Sequence, residues 1–162
     1  MFEERFLRRA IELSAEALHT PGTEPFAAVI VRNGQIVGEG INRSLEKCDP
    51  TSHGETEAIR DACRKLETVD LHDCDLYSSC EPCALCVAAM QITGIRQLYY
   101  AAGLTESNAA LAGLPLSTRV SVDVDLLRDQ CGKTVGDRAT PASQALSGDA
   151  MKVLLAWAKT RN

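Results

Sequence analysis

Apolar residues between positions 2 and 19 recur at helical spacing. Phe2, Phe6, Ala10, Leu13 and Ala17 form one stripe, stopped by Pro21-Gly22. Two apolar runs follow, FAAVIVR and QIVGEGI, separated by Asn33-Gly34. Asn-Gly tolerates the positive φ angles of a tight turn, so this stretch predicts a β-hairpin. Residues 43 to 51 are polar and predict a loop. Ala58, Ile59, Ala62, Cys63 and Leu66 then mark the buried face of a helix over 53–66. CDLYSS predicts a short strand, Pro82 suits the first turn of a helix ending near Thr93-Gly94, and RQLYYAA predicts another strand.

Beyond residue 102 the pattern weakens. A short helix near 106–112, a weak strand at RVSVDV, a short helix at DLLRDQC and a final helix over 144–159 are expected. A hairpin followed by alternating helices and strands predicts a three-layer α/β/α fold with a mixed five-stranded sheet. With 162 residues, no repeat and no linker, one domain over 1–162 is expected.

Composition removes several functional classes. The chain is 45% hydrophobic and 24% charged, with a net charge of −5. Such an acidic balance disfavours a polyanionic partner, although a local basic patch near Lys152, Lys159 and Arg161 remains available to one. No apolar run approaches the roughly 20 residues of a membrane span. The first helix carries acids and lacks a signal-peptide core, so a cytoplasmic protein is expected. Seven cysteines without a secretion signal argue against a disulfide framework. Cys48, Cys63, Cys74 and Cys131 are scattered and read as ordinary thiols.

Cys80, Cys83 and Cys86 are clustered. Cys83-x-x-Cys86 at a helix start turns two sulfurs to one side, where the helix N-terminus favours thiolates. His53 stands at another predicted helix start. One nitrogen and two sulfurs leave a fourth position open, which is the catalytic rather than the structural zinc pattern. Cys80, placed before Pro82 in the strand-to-helix turn, is expected to point elsewhere. Ser52-x-x-Glu55 fits a capping box. With a metal on His53, however, Glu55 is placed to take a proton from the activated water and give it to a departing amine. That leaves Ser52 free to cap the helix. His-x-Glu followed by Pro-Cys-x-x-Cys is the signature of zinc nucleobase deaminases.

The stretches PFAAVIVRNG, GINRS, DPTSHGETEAIRDAC, DLYSSCEPCALCVAAM and LYYAAGLTES resemble the cytidine-deaminase-like superfamily, and within it the bacterial guanine deaminase branch. The same motifs are also similar to tRNA adenosine deaminases. The resemblance implies zinc on His53, Cys83 and Cys86, and Glu55 as proton shuttle. It implies Asn42 reading the base edge, Phe26 as a pocket wall and the Gly54 N–H as donor to a ring carbonyl. Glu106 would contact the exocyclic amine. It further implies a homodimer, in which the C-terminal segment can cross to the partner and make Trp157 a lid. Each has a plainer reading: Asn42 as a turn residue, Phe26 and Trp157 as core, Glu106 as a solvated loop residue. His19 and His72 read as surface residues. Two features depart from the family. Gly54 stands where alanine is usual, as in fungal cytosine deaminases, and WAKTRN lacks the aromatic ending associated with guanine deaminases.

The expected activity is hydrolytic deamination of a free amino-substituted heterocycle, guanine first, with cytosine, isocytosine and ammeline as neighbours. The alternatives are a tRNA adenosine deaminase and a zinc-stabilised binding module without turnover. Glu55 weighs against the module, because a structural site does not require it.

Overall fold

Asn33 and Gly34 both take positive φ, 51° and 73°, as a tight hairpin turn demands. They join β1 (Glu24–Arg32) to β2 (Gln35–Asn42) with Arg32 opposite Gln35. The computed structural model to which this hairpin belongs describes residues 1–115, 118, 119 and 122–161. It contains two compact units, Met1–Val124 and Asp125–Asn162.

In the first unit, α1 (Glu4–Ala15) leads through a 3-10 turn (Glu16–Leu18) into the hairpin. Then come α2 (Ser44–Lys47), α3 (Gly54–Leu66), β3 (Cys74–Cys80), α4 (Ala84–Thr93), β4 (Gln97–Ala102) and α5 (Leu104–Ala110). The strand order is β2-β1-β3-β4. β1 pairs antiparallel with both β2 and β3, and β3 pairs parallel with β4. The sheet is therefore mixed, as expected.

Alternation along β1 and β3 builds the three layers. Val29, Val31 and Tyr77 face α1 and pack on Phe6 and Ala10. Ala28, Ile30 and Leu76 face the other way, onto Ala58, Ile59 and Ala62 of α3 and Met90 of α4. Helix α3 lies almost on the backbone of β2. A Cβ on Gly40 would stand 2.2 Å from Ala58 N, and one on Gly38 would stand 2.5 Å from Ala58 O. Only glycine allows that approach.

Four expectations change. Four strands, not five, are present among the described residues. The fifth was expected at 119–124, where residues 120 and 121 lie outside the described residues and Val124 already begins a helix. The loop over 43–51 contains α2. Pro82 precedes the Cys83 cap of α4 instead of entering the helix. Trp157 is not core: in the second unit, which holds α6 (Val124–Gly132) from Asp125 onward, a 3-10 turn (Val135–Asp137) and α7 (Ser147–Lys159), it is 60% exposed on α7. The guanidinium of Arg161 lies 5.3 Å from its ring centroid. Among the described residues, no helix is long and apolar enough to cross a membrane.

Candidate metal centre and catalytic cleft

Two helix starts meet here. His53 caps α3 and Cys83 caps α4, both in extended conformation and neither with a side-chain cap hydrogen bond. Their side chains are thus free to point outward while the unpaired N–H groups and the positive ends of both helices face the same place. Cys86 follows Cys83 one turn along α4. His53 Nδ1 lies 3.5 Å from each sulfur, and the sulfurs are 3.8 Å apart. A tetrahedral ion at about 2.3 Å from sulfur and about 2.0–2.1 Å from nitrogen would set the sulfurs about 3.8 Å apart, and each about 3.6 Å from the nitrogen. The three donors already have those spacings. Among the described residues, theirs is the group of His, Cys, Asp and Glu side chains able to hold a metal ion.

The charge state of the cluster fits the same purpose. Hydrogen bonding from Cys86 Sγ, aided by His53, pulls the Cys83 thiol down to about 4 against the effect of burial. That hydrogen bond, together with burial, pushes Cys86 upward. The hydrogen bond to Cys83 raises His53. Three clustered donors competing for protons make a donor set that a borderline cation such as zinc satisfies.

Glu55 is the second residue of α3, and its side chain is buried beside the cluster. Ser78 Oγ on β3 donates to its Oε1 at 3.1 Å, and its Oε2 lies 3.3 Å from Cys86 Sγ. Burial drives its pKa upward, as suits a carboxylate that must hold a proton. The capping-box alternative fails on geometry. Neither Ser52 nor Glu55 caps α3, because Ser52 Oγ donates instead to Glu57 at 2.9 Å. Ser52 therefore loses the capping role expected of it.

A cleft of about 310 Å³ opens over this site. His53, Glu55 and Cys83 form its floor, and Phe26 and Asn42 line its wall. Cys80 also lines it, so it does not point away, yet it stands outside the metal-donor group. Leu45, Cys48 and Pro50 contribute from the 43–51 loop, and Leu104, Ser107 and Asn108 from α5.

Of the candidates in this unit, Cys86 stands behind the cleft lining, and Glu106 and Gly54 do not line it either. Glu106 is exposed, and its carboxylate accepts the Gly103 N–H at 2.9 Å, closing the first turn of α5. Reaching back to the helix cap turns it away from the expected contact with an exocyclic amine. Gly54 is wedged under β1, where a Cβ would meet Phe26 O at 2.5 Å. His19 and His72 are exposed, as expected.

The cleft also contains residues that the sequence did not single out. Glu24 is buried and bonded to Arg119, whose Nε reaches its Oε2 at 3.1 Å. Burial raises the Glu24 pKa, and Arg119 opposes that rise. Period two along β1 puts Glu24 on the Phe26 side, a usable signal. Nothing local marks Arg119. Ser78 was legible only as one of the alternating positions of CDLYSSC.

Residues 1–102 match the model of the cytidine and deoxycytidylate deaminase zinc-binding region. The chain belongs to that deaminase family and is an enzyme of its class. It is 36% identical over 162 residues to the guanine deaminase of Bacillus subtilis (strain 168), covering 100% of this chain and 97% of that protein. An X-ray structure of the guanine deaminase from Bacillus subtilis superposes with a TM-score of 0.82 over 98% of this chain and 95% of that one. The tRNA-specific adenosine deaminase of Aquifex aeolicus (strain VF5) is 37% identical over 102 residues, covering 63% of this chain and 67% of that protein.

Proposed function

We propose that this chain is a zinc-dependent hydrolytic deaminase of a free amino-substituted nucleobase, with guanine as first substrate and xanthine and ammonia as products. The observation that carries the reading is the triangle of His53 Nδ1, Cys83 Sγ and Cys86 Sγ at tetrahedral spacing with the Glu55 carboxylate beside it. The full-length similarity to the Bacillus subtilis guanine deaminase supports the choice of guanine and one deaminase domain over 1–162.

The three donors would hold zinc, which supplies a Lewis acid able to make water a nucleophile at neutral pH. Glu55 takes the proton from the attacking water and delivers it to the leaving nitrogen. Its high pKa and the Ser78 hydrogen bond keep it available at one place for both transfers. Water's second proton ends on the ring nitrogen next to the reacting carbon, its oxygen becomes the new carbonyl, and the amine leaves as ammonia.

Phe26 offers an aromatic wall for the ring, and the Gly54 N–H at the start of α3 remains the candidate donor to a ring carbonyl. Asn42 Oδ1 accepts the Ser44 N–H at 3.0 Å. Its amide nitrogen is thereby left to donate to a ring acceptor. A homodimer is part of the same proposal. Val87 and Ile92 of α4, and Leu154, Leu155 and Trp157 of α7, are exposed in the single chain, and a partner would cover apolar surface of this kind. Exchange of the C-terminal segment would make Trp157 a cover for the partner's cleft.

The test is ammonia release by zinc-loaded protein from guanine, isocytosine, ammeline, cytosine and adenine, beside a tRNA anticodon stem-loop. Turnover of guanine or a close relative with little on adenine is expected. Release from the stem-loop with none from any free base would overturn the reading.

A further inference from the structure

The proposed chemistry makes no use of buried Glu24 and its half-buried partner Arg119, yet the pair occupies the cleft wall next to the residue proposed to read the ring. Glu24 and Asn42 are direct Cα partners across β1 and β2, so their side chains leave the same face of the sheet as neighbours. The register shift between Glu24 and Ala27 follows immediately. Bulges of this kind re-aim side chains beside active sites. Glu24, Phe26, Asn42 and Arg119 all line the cleft.

The hydrogen bonds fix what each group can offer. Ser44 N–H occupies Asn42 Oδ1, so the free end of that amide is a donor. Arg119 Nε occupies Glu24 Oε2, so Oε1, which has no partner among the described residues, is an acceptor. The guanidinium carbon of Arg119 lies 5.3 Å from the Phe26 ring centroid, so ring and ion pair form one wall. As packing, an ion pair that buries a carboxylate has little to recommend it over apolar residues of the same size. As recognition, a donor beside an acceptor matches a ring edge with an acceptor nitrogen beside an N–H. A free purine base has that edge. In its nucleoside the N–H is replaced by the bond to the sugar.

Resting on the deaminase reading above, we infer that Glu24 is a specificity-determining residue. It accepts a hydrogen bond from the ring N–H that a free base has and a nucleoside lacks, and Arg119 is the positioning residue that holds it. The cleft lining also carries Glu55 and Glu81 against the single cation Arg119 among the described residues.

The experiment compares kcat/KM for the free base that releases ammonia fastest and for the same base methylated at the sugar-bearing nitrogen. Wild-type protein should prefer the free base by about 10- to 100-fold, the range of one charge-assisted hydrogen bond. Glu24→Gln should bring that preference within about twofold by raising KM for the free base, because the amide bonded to Arg119 turns a donor toward a donor. A merely structural Glu24 would lower both substrates together and keep the ratio. If Glu24→Gln does not fold, Glu24→Gln/Arg119→Gln removes both charges together and should also abolish the ratio. Arg119→Lys, which keeps a cation, should retain part of the preference. An unchanged ratio in a folded Glu24 variant, or a wild-type enzyme indifferent to methylation, overturns the role of Glu24 and leaves the deaminase reading intact. No ammonia from any base overturns the deaminase reading itself, and this inference with it.

Discussion

Gly54→Ala is the smallest change that tests how the site is assembled. The added methyl would meet Phe26 O at 2.5 Å, Ala27 Cα at 2.8 Å and Phe26 C at 2.9 Å. All three are backbone atoms of β1, so no side-chain rotation relieves the clash. The shortest contact falls about 0.9 Å inside an ordinary van der Waals separation. Either β1 or the first turn of α3 must move by a large part of that distance. Overpacking of this kind costs about 1–3 kcal/mol. In a protein of this length that corresponds to about 2–12 °C in Tm. The activity loss should be proportionately larger, because His53 caps α3, Glu55 lies in its first turn, and β1 carries Phe26. Misplacement of reacting groups by about 1 Å can cost about 10²-fold. The assay is a thermal melt alongside kcat/KM and bound zinc per chain. Gly54→Ala with an unchanged Tm and wild-type kcat/KM would refute the claim that α3 is seated against β1 at this contact.

Glu55→Gln should retain zinc and fold while lowering kcat by about 10²- to 10⁴-fold, because the amide keeps the Ser78 contact but cannot carry the proton; near-normal turnover at full zinc occupancy would exclude the shuttle. Removing zinc with a chelator should abolish turnover and lower Tm, since the metal is expected to join the starts of α3 and α4, and an unshifted melt would show that it does not. Burial pushes the Glu57 carboxyl up, but hydrogen bonds from Lys47, Arg60 and Ser52 outweigh it and hold the folded value below 4.5. Its stabilising contribution is therefore complete above that ordinary value and lost as pH falls through the lower folded value. Acid melts of Glu57→Gln should be flatter than wild type over that window, and parallel curves would refute the assignment.

The fold was most legible where local chemistry and tertiary packing demand the same thing. Asn33-Gly34 needs positive φ and receives it, and Ala58, Ile59 and Ala62 are spaced for one helix face and bury there. Legibility fell where a residue answers a nearby backbone group. Glu106 has the right charge for binding an amine, but the Gly103 N–H is three residues away and costs almost no chain entropy to reach. Ser52 shows the reverse. Its local signature promised a cap, yet the Glu57 carboxylate, drawn inward by Lys47 and Arg60, became the stronger acceptor. Trp157 defeated the assumption that a lone tryptophan is core, because α7 carries apolar residues that its own unit leaves exposed.

The same distinction explains why the metal centre was readable and its surroundings were not. His53 and Cys83 are residues at which a chain enters a helix, and Cys86 lies one turn further along. Short-range geometry alone therefore points all three donors outward from two helix starts. Sequence spacing records that geometry directly. The Glu24–Arg119 pair has no such local trace, because its members are 95 residues apart and meet only after the sheet and the segment beyond α5 are in place. Yet it is these distant residues that finish the wall beside Phe26 and Asn42, and they give the cleft a donor–acceptor edge that the zinc motif cannot specify. Reaction type is therefore written in short motifs, whereas substrate choice depends on contacts that only the folded chain creates. Two family members with identical His-x-Glu and Pro-Cys-x-x-Cys motifs should deaminate by the same steps and still differ in substrate, according to what occupies the positions of Glu24 and Arg119.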